Sequence, residues 1–291
     1  MRRVHGFVLA LAVVSAGAGA APPTGDPHLA TLAAEHEGDT PVPSASAERA
    51  PAGAVEGAEV VYARQGGTPV RGYLARPKGE GSAPGILLIH EWWGLNDNLR
   101  SMARQLAGQG YAALAVDLYG GAVASDPQEA RALVGKVIAN PEAARENLRQ
   151  AHGYLSLELR APRIGAVGWC FGGGWSLQTA LLLPGELDAA VIYYGRLETD
   201  PDRLRGLDTP LLGHFASEDR AIPVADVRAF EQALEELDKP ASIHIYEGAQ
   251  HAFANPSGTR YDAEAAEQAW QRTLSFFDGT LRGETSGGAS P

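Results

Sequence analysis

The single cysteine of this chain, Cys170, lies between glycines in the segment GWCFG at 168–172. The apolar run 164–167 before it predicts a buried strand, and a helix is expected after it. A turn of the form G-x-nucleophile-x-G between a strand and a helix lifts the central side chain off the strand end, and glycine permits its tight backbone. A thiolate held there can attack a carbonyl carbon. The alternative is a buried structural thiol, since free cysteine is among the most buried residue types.

An acid and a histidine follow this thiol in the order that a hydrolytic triad needs. Asp219 comes after the apolar segment 209–215 and His251 after the alternating segment 241–246, and both segments predict strands. Because the carboxyl ends of parallel strands meet at one sheet edge, the side chains are expected to converge. His251 would then move the proton and Asp219 would hold its tautomer. Asp219 could instead cap the next helix, with Glu218 as a rival acid, and His251 could be an ordinary loop histidine.

The loop EWWGLND at 91–97 follows another predicted buried strand at 86–90. A loop at this place in the topology supplies one of the two backbone N–H groups that stabilise an oxyanion, and the residue after the nucleophile supplies the other. The predicted donors are therefore the N–H groups of Trp92 and Phe171.

These ordered motifs resemble those of the dienelactone hydrolases, and the resemblance runs from about residue 60 to about residue 277. It implies an α/β fold of the α/β-hydrolase type, with a mostly parallel central sheet and helices on both faces. It also implies a Cys170–His251–Asp219 triad that hydrolyses a carboxylic ester or lactone through a thioester, without a cofactor. The matching residues of the two local patterns are Glu91, Gly94 and Asn96 for E-x-x-G-x-N, and Gly168, Cys170, Gly172 and Gly173 for G-x-C-x-G-G.

In that family the glutamate of the strand-end loop takes the thiol proton when substrate enters, which assigns this role to Glu91. The resting Cys170 is then expected to be less acidic and less easily oxidised than the thiol of a permanent Cys–His ion pair. Alternatively, Glu91 caps the following helix or pairs with a surface arginine.

The resemblance does not extend to the two arginines by which dienelactone hydrolases bind the substrate carboxylate. Gly120 and Gly121 follow Tyr119 at the first place, and Asn255 stands four residues beyond His251 at the second. Since neutral groups replace a guanidinium clamp poorly, the acyl side of the substrate is expected to be less charged. The aromatic side chains near the site could equally belong to the core. The predicted substrate pocket comprises Trp93, Tyr119, Trp169, Phe253 and Asn255.

The N-terminal residues predict a secretory signal at 1–20. Arg2 and Arg3 precede an apolar stretch at 7–14, and Ala18-Gly19-Ala20 forms an A-x-A cleavage site. The protein is therefore expected to be exported, periplasmic or secreted, with no membrane attachment after cleavage; an uncleaved anchor is the alternative.

The remaining chain divides by composition. Segment 21–57, rich in alanine, proline, glycine and acids, predicts a flexible leader, in which His28 and His36 are assigned to a solvated linker rather than to a loose metal site. Strands alternating with helical stretches predict one catalytic domain over 58–282, and a disordered tail is expected at 283–291.

Charge and motifs restrict the partners. A net charge of −11 argues against nucleic acid, and no cysteine–histidine cluster has zinc-site spacing. We therefore expect a monomer that binds a small ester or lactone and no metal. Two alternative functions would also use the Cys170 thiol: a redox or ligand sensor on a hydrolase fold, and a thioesterase or acyltransferase.

Overall fold

The computed structural model describes residues 27–41, 49–79 and 81–283. The predicted signal peptide and the predicted tail beyond Gly283 lie outside these residues. The described strands are β1 (Val55–Gln65), β2 (Thr68–Pro77), β3 (Gly85–Ile89), β4 (Ala112–Val116), β5 (Ile164–Trp169), β6 (Ala189–Tyr193), β7 (Leu211–Ala216) and β8 (Ala241–Tyr246).

These eight strands form one sheet in the order β1-β2-β4-β3-β5-β6-β7-β8. β1 and β2 form an antiparallel hairpin, and β2 pairs antiparallel with β4. The pairs from β4 through β3 to β8 are parallel, so the carboxyl ends of these strands share one edge. The mostly parallel α/β-hydrolase sheet predicted from the sequence is confirmed.

Helices cover both faces of the sheet and form two apolar layers. Ile86 and Leu88 of β3 point into one layer, and Leu87 and Ile89 point into the other. Such a strand is apolar at every position because both of its faces are buried. The described helices are α1 (Pro27–Glu35), α2 (Asp97–Gly108), α3 (Pro127–Ala139), α4 (Pro141–Gly153), α5 (Phe171–Leu182), α6 (Pro201–Leu204), α7 (Val224–Glu236) and α8 (Ala263–Phe277), with π-helical turns after α4 and α8.

The prediction of a flexible leader over 21–57 is wrong for the part that the structure describes. Pro27–Glu35 forms helix α1, and β1 already begins at Val55. Leu29 and Leu32, three residues apart and on one helix face, are both buried in the apolar layer that also contains α2 and α8. Burial of this short stripe orders a segment whose composition alone suggests disorder.

No helix among the described residues is long and apolar enough to cross a membrane.

Candidate active site

Cys170 occupies a strained turn between β5 and α5. Its backbone has φ 55° and ψ −118°, a conformation that non-glycine residues rarely adopt. A Cβ on Gly168 would lie 2.0 Å from the carbonyl oxygen of Gly172, and one on Gly172 would lie 2.2 Å from the carbonyl oxygen of Ile89. Only glycine fits at these two close backbone approaches, and the predicted tight turn from strand to helix is confirmed.

The loops after β7 and β8 bring Asp219 and His251 together. Oδ2 of Asp219 accepts a hydrogen bond from Nδ1 of His251 at 2.7 Å, and both side chains are buried. Oδ1 of Asp219 accepts from the N–H groups of Ala221 and Ile222, so the same carboxylate also shapes its loop. The rival acid Glu218 is exposed. Burial alone would lower the pKa of His251, but Asp219 and the nearby thiolate raise it well above its usual value.

The thiol of Cys170 faces two histidines rather than one. Sγ of Cys170 and ring nitrogens of His36 and His251 all lie within 4.8 Å of one another, with Sγ 3.7 Å from Nε2 of His36. Burial raises the pKa of the thiol, but His251 and His36 together lower it to about 6. The resting thiol is therefore more acidic than an ordinary cysteine thiol. That it is less acidic than the thiol of a permanent Cys–His ion pair stays a prediction.

His36 is the functional residue that the sequence analysis missed, since it was assigned to a solvated linker. It is fully buried just after α1, and its ring stacks on the indole of Trp92 with 4.4 Å between centroids. Its Nδ1 lies 2.8 Å from Oδ2 of Asp39. Oδ1 of Asp39 accepts hydrogen bonds from the backbone N–H and the hydroxyl of Thr259. A histidine followed three residues later by an aspartate is a common sequence pattern, so it does not indicate that His36 lies beside the thiol.

Ion pairs fasten the segment 27–41 over the thiol. The guanidinium of Arg260 lies 3.6 Å from Glu35 and 3.9 Å from Asp39, and Arg220 lies 4.0 Å from Glu35. Both acids are buried, and the pKa of Asp39 falls to about 2: burial opposes this shift, but the hydrogen bonds from His36 and Thr259 outweigh it. The N-terminal segment thus forms part of the site wall.

Glu91 borders the site but makes its described hydrogen bonds elsewhere. Oε2 accepts from the amide of Asn255 at 2.7 Å, and Oε1 accepts from the hydroxyl of Tyr194 at 3.4 Å. Burial and the neighbouring Cys170 thiolate raise the pKa of Glu91 to about 7. Among the described ion pairs, none joins Glu91 to an arginine.

The two predicted oxyanion donors follow the carboxyl ends of β3 and β5, and their role as donors stays a prediction. Phe171 is the first residue of α5, so its N–H has no acceptor within the helix. The loop that carries Trp92 is held by a hydrogen bond from the Tyr119 hydroxyl to the Trp92 carbonyl at 3.0 Å and by a contact of 2.6 Å between Nδ1 of His90 and the Glu91 carbonyl.

A pocket with a cavity volume of about 130 Å³ is lined by Trp169, the residue before Cys170, and by Glu91. Of the predicted pocket residues, Trp169 and Asn255 line it, whereas Trp93 and Phe253 are buried in the core and Tyr119 lies outside its wall. The assignment of these three to the substrate pocket stays a prediction, because residue type does not distinguish a core aromatic from a pocket aromatic. Leu99, Met102, Tyr261 and Trp270 make much of the wall apolar, and Glu91 adds a carboxyl group to it.

Comparison with known proteins adds sequence and structural relatives. The sequence profile described as "Dienelactone hydrolase family" matches residues 70–281. A Saccharolobus solfataricus protein named "Putative carboxymethylenebutenolidase" is 32% identical over 248 residues, which is 72% of this chain and 94% of that protein. An Escherichia coli K12 protein of the same name is 32% identical over 221 residues, covering 70% and 80% of the two chains.

A similar solved structure is titled "Crystal Structure of Putative Dienelactone Hydrolase from Klebsiella pneumoniae subsp. pneumoniae MGH 78578". It has a TM-score of 0.70 at 29% sequence identity, and the match covers 77% of this chain and 98% of that one. The family profile includes Cys170, Asp219 and His251 but begins after α1 and His36.

Proposed function

The chain belongs to the dienelactone hydrolase family and is an ester-bond hydrolase, and from this premise we propose that it cleaves esters or lactones with Cys170 as the nucleophile. One observation carries the proposal. The His251 ring is fixed to Asp219 through Nδ1 at 2.7 Å, which directs its Nε2 towards the thiol at the strained turn. This is the arrangement in which an imidazole can shuttle a proton between nucleophile, leaving group and water.

The proposed reaction has two halves. The Cys170 thiolate attacks the carbonyl carbon, and the N–H groups of Phe171 and Trp92 donate to the resulting oxyanion. The C–O bond breaks, imidazolium His251 gives its proton to the departing oxygen, and a thioester remains on Sγ. Neutral His251 then removes a proton from water, the hydroxide adds to the thioester, and the acid is released as the thiolate re-forms.

Glu91 is proposed to exchange a proton with the thiol when substrate rearranges the site. The pKa values of Glu91 and Cys170, about 7 and about 6, are close. A difference of about one pKa unit corresponds to about 1.4 kcal/mol, so a proton can pass between the two groups at little cost. This role is supported by the two pKa values and by the place of Glu91 in the cavity wall. The described hydrogen bonds of Glu91 go to Asn255 and Tyr194 instead.

The substrate is proposed to have a neutral or weakly charged acyl group. Leu99, Met102 and Trp270 give the cavity apolar walls. The amide of Asn255 is already engaged with Glu91. Arg49 also lines the cavity, but it pairs with Glu267 at 3.4 Å and both side chains are largely exposed. A solvated, paired guanidinium is a weak anchor for a substrate carboxylate.

Release of p-nitrophenol from p-nitrophenyl acetate tests the proposal, with wild type and Cys170→Ala followed from the earliest times. Steady release that disappears in the variant is expected. A single stoichiometric burst without turnover would favour an acyltransferase, and release by Cys170→Ala at the wild-type rate would overturn the nucleophile assignment. A thiol sensor on this fold would be insensitive to Asp219→Asn, whereas a triad would not.

Export through the predicted signal is a separate proposal. It rests on Arg2, Arg3 and the apolar stretch 7–14. N-terminal sequencing of protein recovered from outside the cytoplasm is expected to begin at Ala21, and recovery of only the full-length chain from the cytoplasm would contradict it.

A further inference from the structure

We propose that Cys170, His251 and His36 together bind one thiophilic divalent cation, with Zn²⁺ as the best match, and that the bound cation silences the hydrolase. The silencing rests on the proposed function, because it requires Cys170 to be the nucleophile. The binding does not, because it depends only on the three side chains. The N-terminal segment supplies the third ligand and thereby converts a catalytic pair into a metal site.

The spacing of the ligand atoms suits such a cation. Tetrahedral Zn²⁺ with bonds of about 2.3 Å to sulfur and about 2.0 Å to nitrogen places neighbouring ligand atoms about 3.5 Å apart. Sγ of Cys170 and Nε2 of His36 are already 3.7 Å apart, and the whole set lies within 4.8 Å. Nε2 of His251 is buried and has no hydrogen-bond partner among the described residues, so its ring faces the cluster with an unused nitrogen.

The carboxylates behind the two histidines supply the second, independent observation. Nδ1 of His36 lies 2.8 Å from Asp39, and Nδ1 of His251 lies 2.7 Å from Asp219. A carboxylate that accepts the Nδ1–H of a histidine fixes the tautomer with Nε2 free, which is the usual outer shell of a histidine bound to a metal. Cysteine hydrolysis needs one such pair. The second pair, His36 and Asp39, directs its imidazole ring towards the same sulfur, although His36 precedes Cys170 by 134 residues in the chain.

The ligand types select the cation. One thiolate and two imidazoles suit Zn²⁺ and other borderline or soft ions, whereas Mg²⁺ and Ca²⁺ prefer oxygen ligands. Binding uses the lone pair on Sγ that the reaction needs and also the Nε2 of His251, so an occupied site cannot form the thioester. Because the thiol and both rings are almost completely buried, the cation must enter when the segment 27–41 moves away, and its return closes the site.

Metal titration of the full-length protein tests the binding directly. Chelator-treated protein is titrated with Co²⁺, followed by the thiolate-to-cobalt charge-transfer band and the visible bands of tetrahedral cobalt, and with Zn²⁺ by calorimetry. One ion per chain is expected. His36→Gln should weaken Zn²⁺ binding by at least 100-fold, and Asp39→Asn by about 10-fold to 100-fold. His244→Gln is the matched control, because His244 lies on β8 outside the cluster. The Zn²⁺ affinity of this variant should equal that of wild type.

The outcomes separate the two proposals. Absence of the cobalt–thiolate band, or equal Zn²⁺ affinity in wild type, His36→Gln and Asp39→Asn, overturns the metal site whether or not the protein hydrolyses esters. If chelator-treated wild type shows no Cys170-dependent hydrolysis but still gives the band, the proposed function fails and the metal site stands. Circular dichroism confirms that each variant is folded before its affinity is compared.

Discussion

Replacement of His36 by glutamine is expected to make the Cys170 thiol markedly less acidic. In the wild type the pKa of this thiol falls from 9.0 to about 6, although burial opposes the shift. A lowering of about three pKa units corresponds to about 4 kcal/mol of preference for the thiolate. His251 is the larger contributor, and His36 adds a hydrogen bond and a charge interaction. Glutamine can still donate a hydrogen bond, but loss of the charge interaction should raise the thiol pKa by about one unit, or about 1.4 kcal/mol.

The assay is the ultraviolet absorbance of the thiolate as a function of pH, taken as the difference between each protein and the same protein carrying Cys170→Ala. All samples contain a chelator, so that no bound metal ionises the thiol. Glutamine keeps the polarity and much of the volume of histidine but cannot carry its charge. If His36→Gln titrates at the same pH as wild type, the contact between His36 and the thiol has no electrostatic effect and the reasoning is refuted.

Further predictions concern the triad, the turn, Glu91 and the N-terminal segment. Asp219→Asn should lower kcat for p-nitrophenyl acetate by about 10³-fold to 10⁴-fold, because the imidazole is no longer held in the tautomer that can accept the proton. A decrease in kcat of less than about tenfold would contradict this. Gly168→Ala should lower the free energy of unfolding in urea by about 3 kcal/mol or more, since its Cβ would meet the Gly172 carbonyl at 2.0 Å. Glu91→Gln should remove an ionisation near pH 7 from the profile of kcat/KM, and an unchanged profile would exclude Glu91 as a proton carrier. Arg260→Ala should speed amide exchange in 27–41, and unchanged exchange would show that the ion pairs to Glu35 and Asp39 do not hold the segment.

The thiol also links stability to pH. Its pKa is lower in the folded chain than in the unfolded chain, so the stabilisation is complete above the unfolded value and is lost as the pH falls through about 6. The difference in melting temperature between wild type and Cys170→Ala should therefore shift in favour of the variant as the pH drops from about 9 to about 5. A difference that stays constant across this range would show that the thiolate is not stabilised in the folded protein.

The sequence predicts the nucleophile turn and the triad because their signals are local or ordered. Glycines at 168 and 172 report a close backbone approach directly, and the chain order of Cys170, Asp219 and His251 follows the strand order. Gly172, Gly173 and Gly174 stand in the first turn of α5, although glycine has low helix propensity. The helix begins at Phe171 because those glycines pack against neighbouring backbone at the strand ends.

The N-terminal contribution could not be predicted in the same way. His36 reaches the site through Asp39, whose partner Thr259 lies 220 residues further along the chain. Nothing in the alanine-rich composition of α1 indicates that long-range contact, and two leucines three residues apart are a weak helix signal on their own. The complete burial of Trp93 and Phe253 could not be predicted for a related reason, because it depends on packing that residue type does not encode.

The most direct test of the account is to identify the covalent intermediate. Wild-type protein is mixed with a p-nitrophenyl ester, quenched in acid within the first turnover, digested and analysed by mass spectrometry. An acyl group is expected on the peptide that contains Cys170, formed and lost at rates that match p-nitrophenol release. Steady hydrolysis without any acyl group on that peptide, together with full activity in Cys170→Ala, would contradict it.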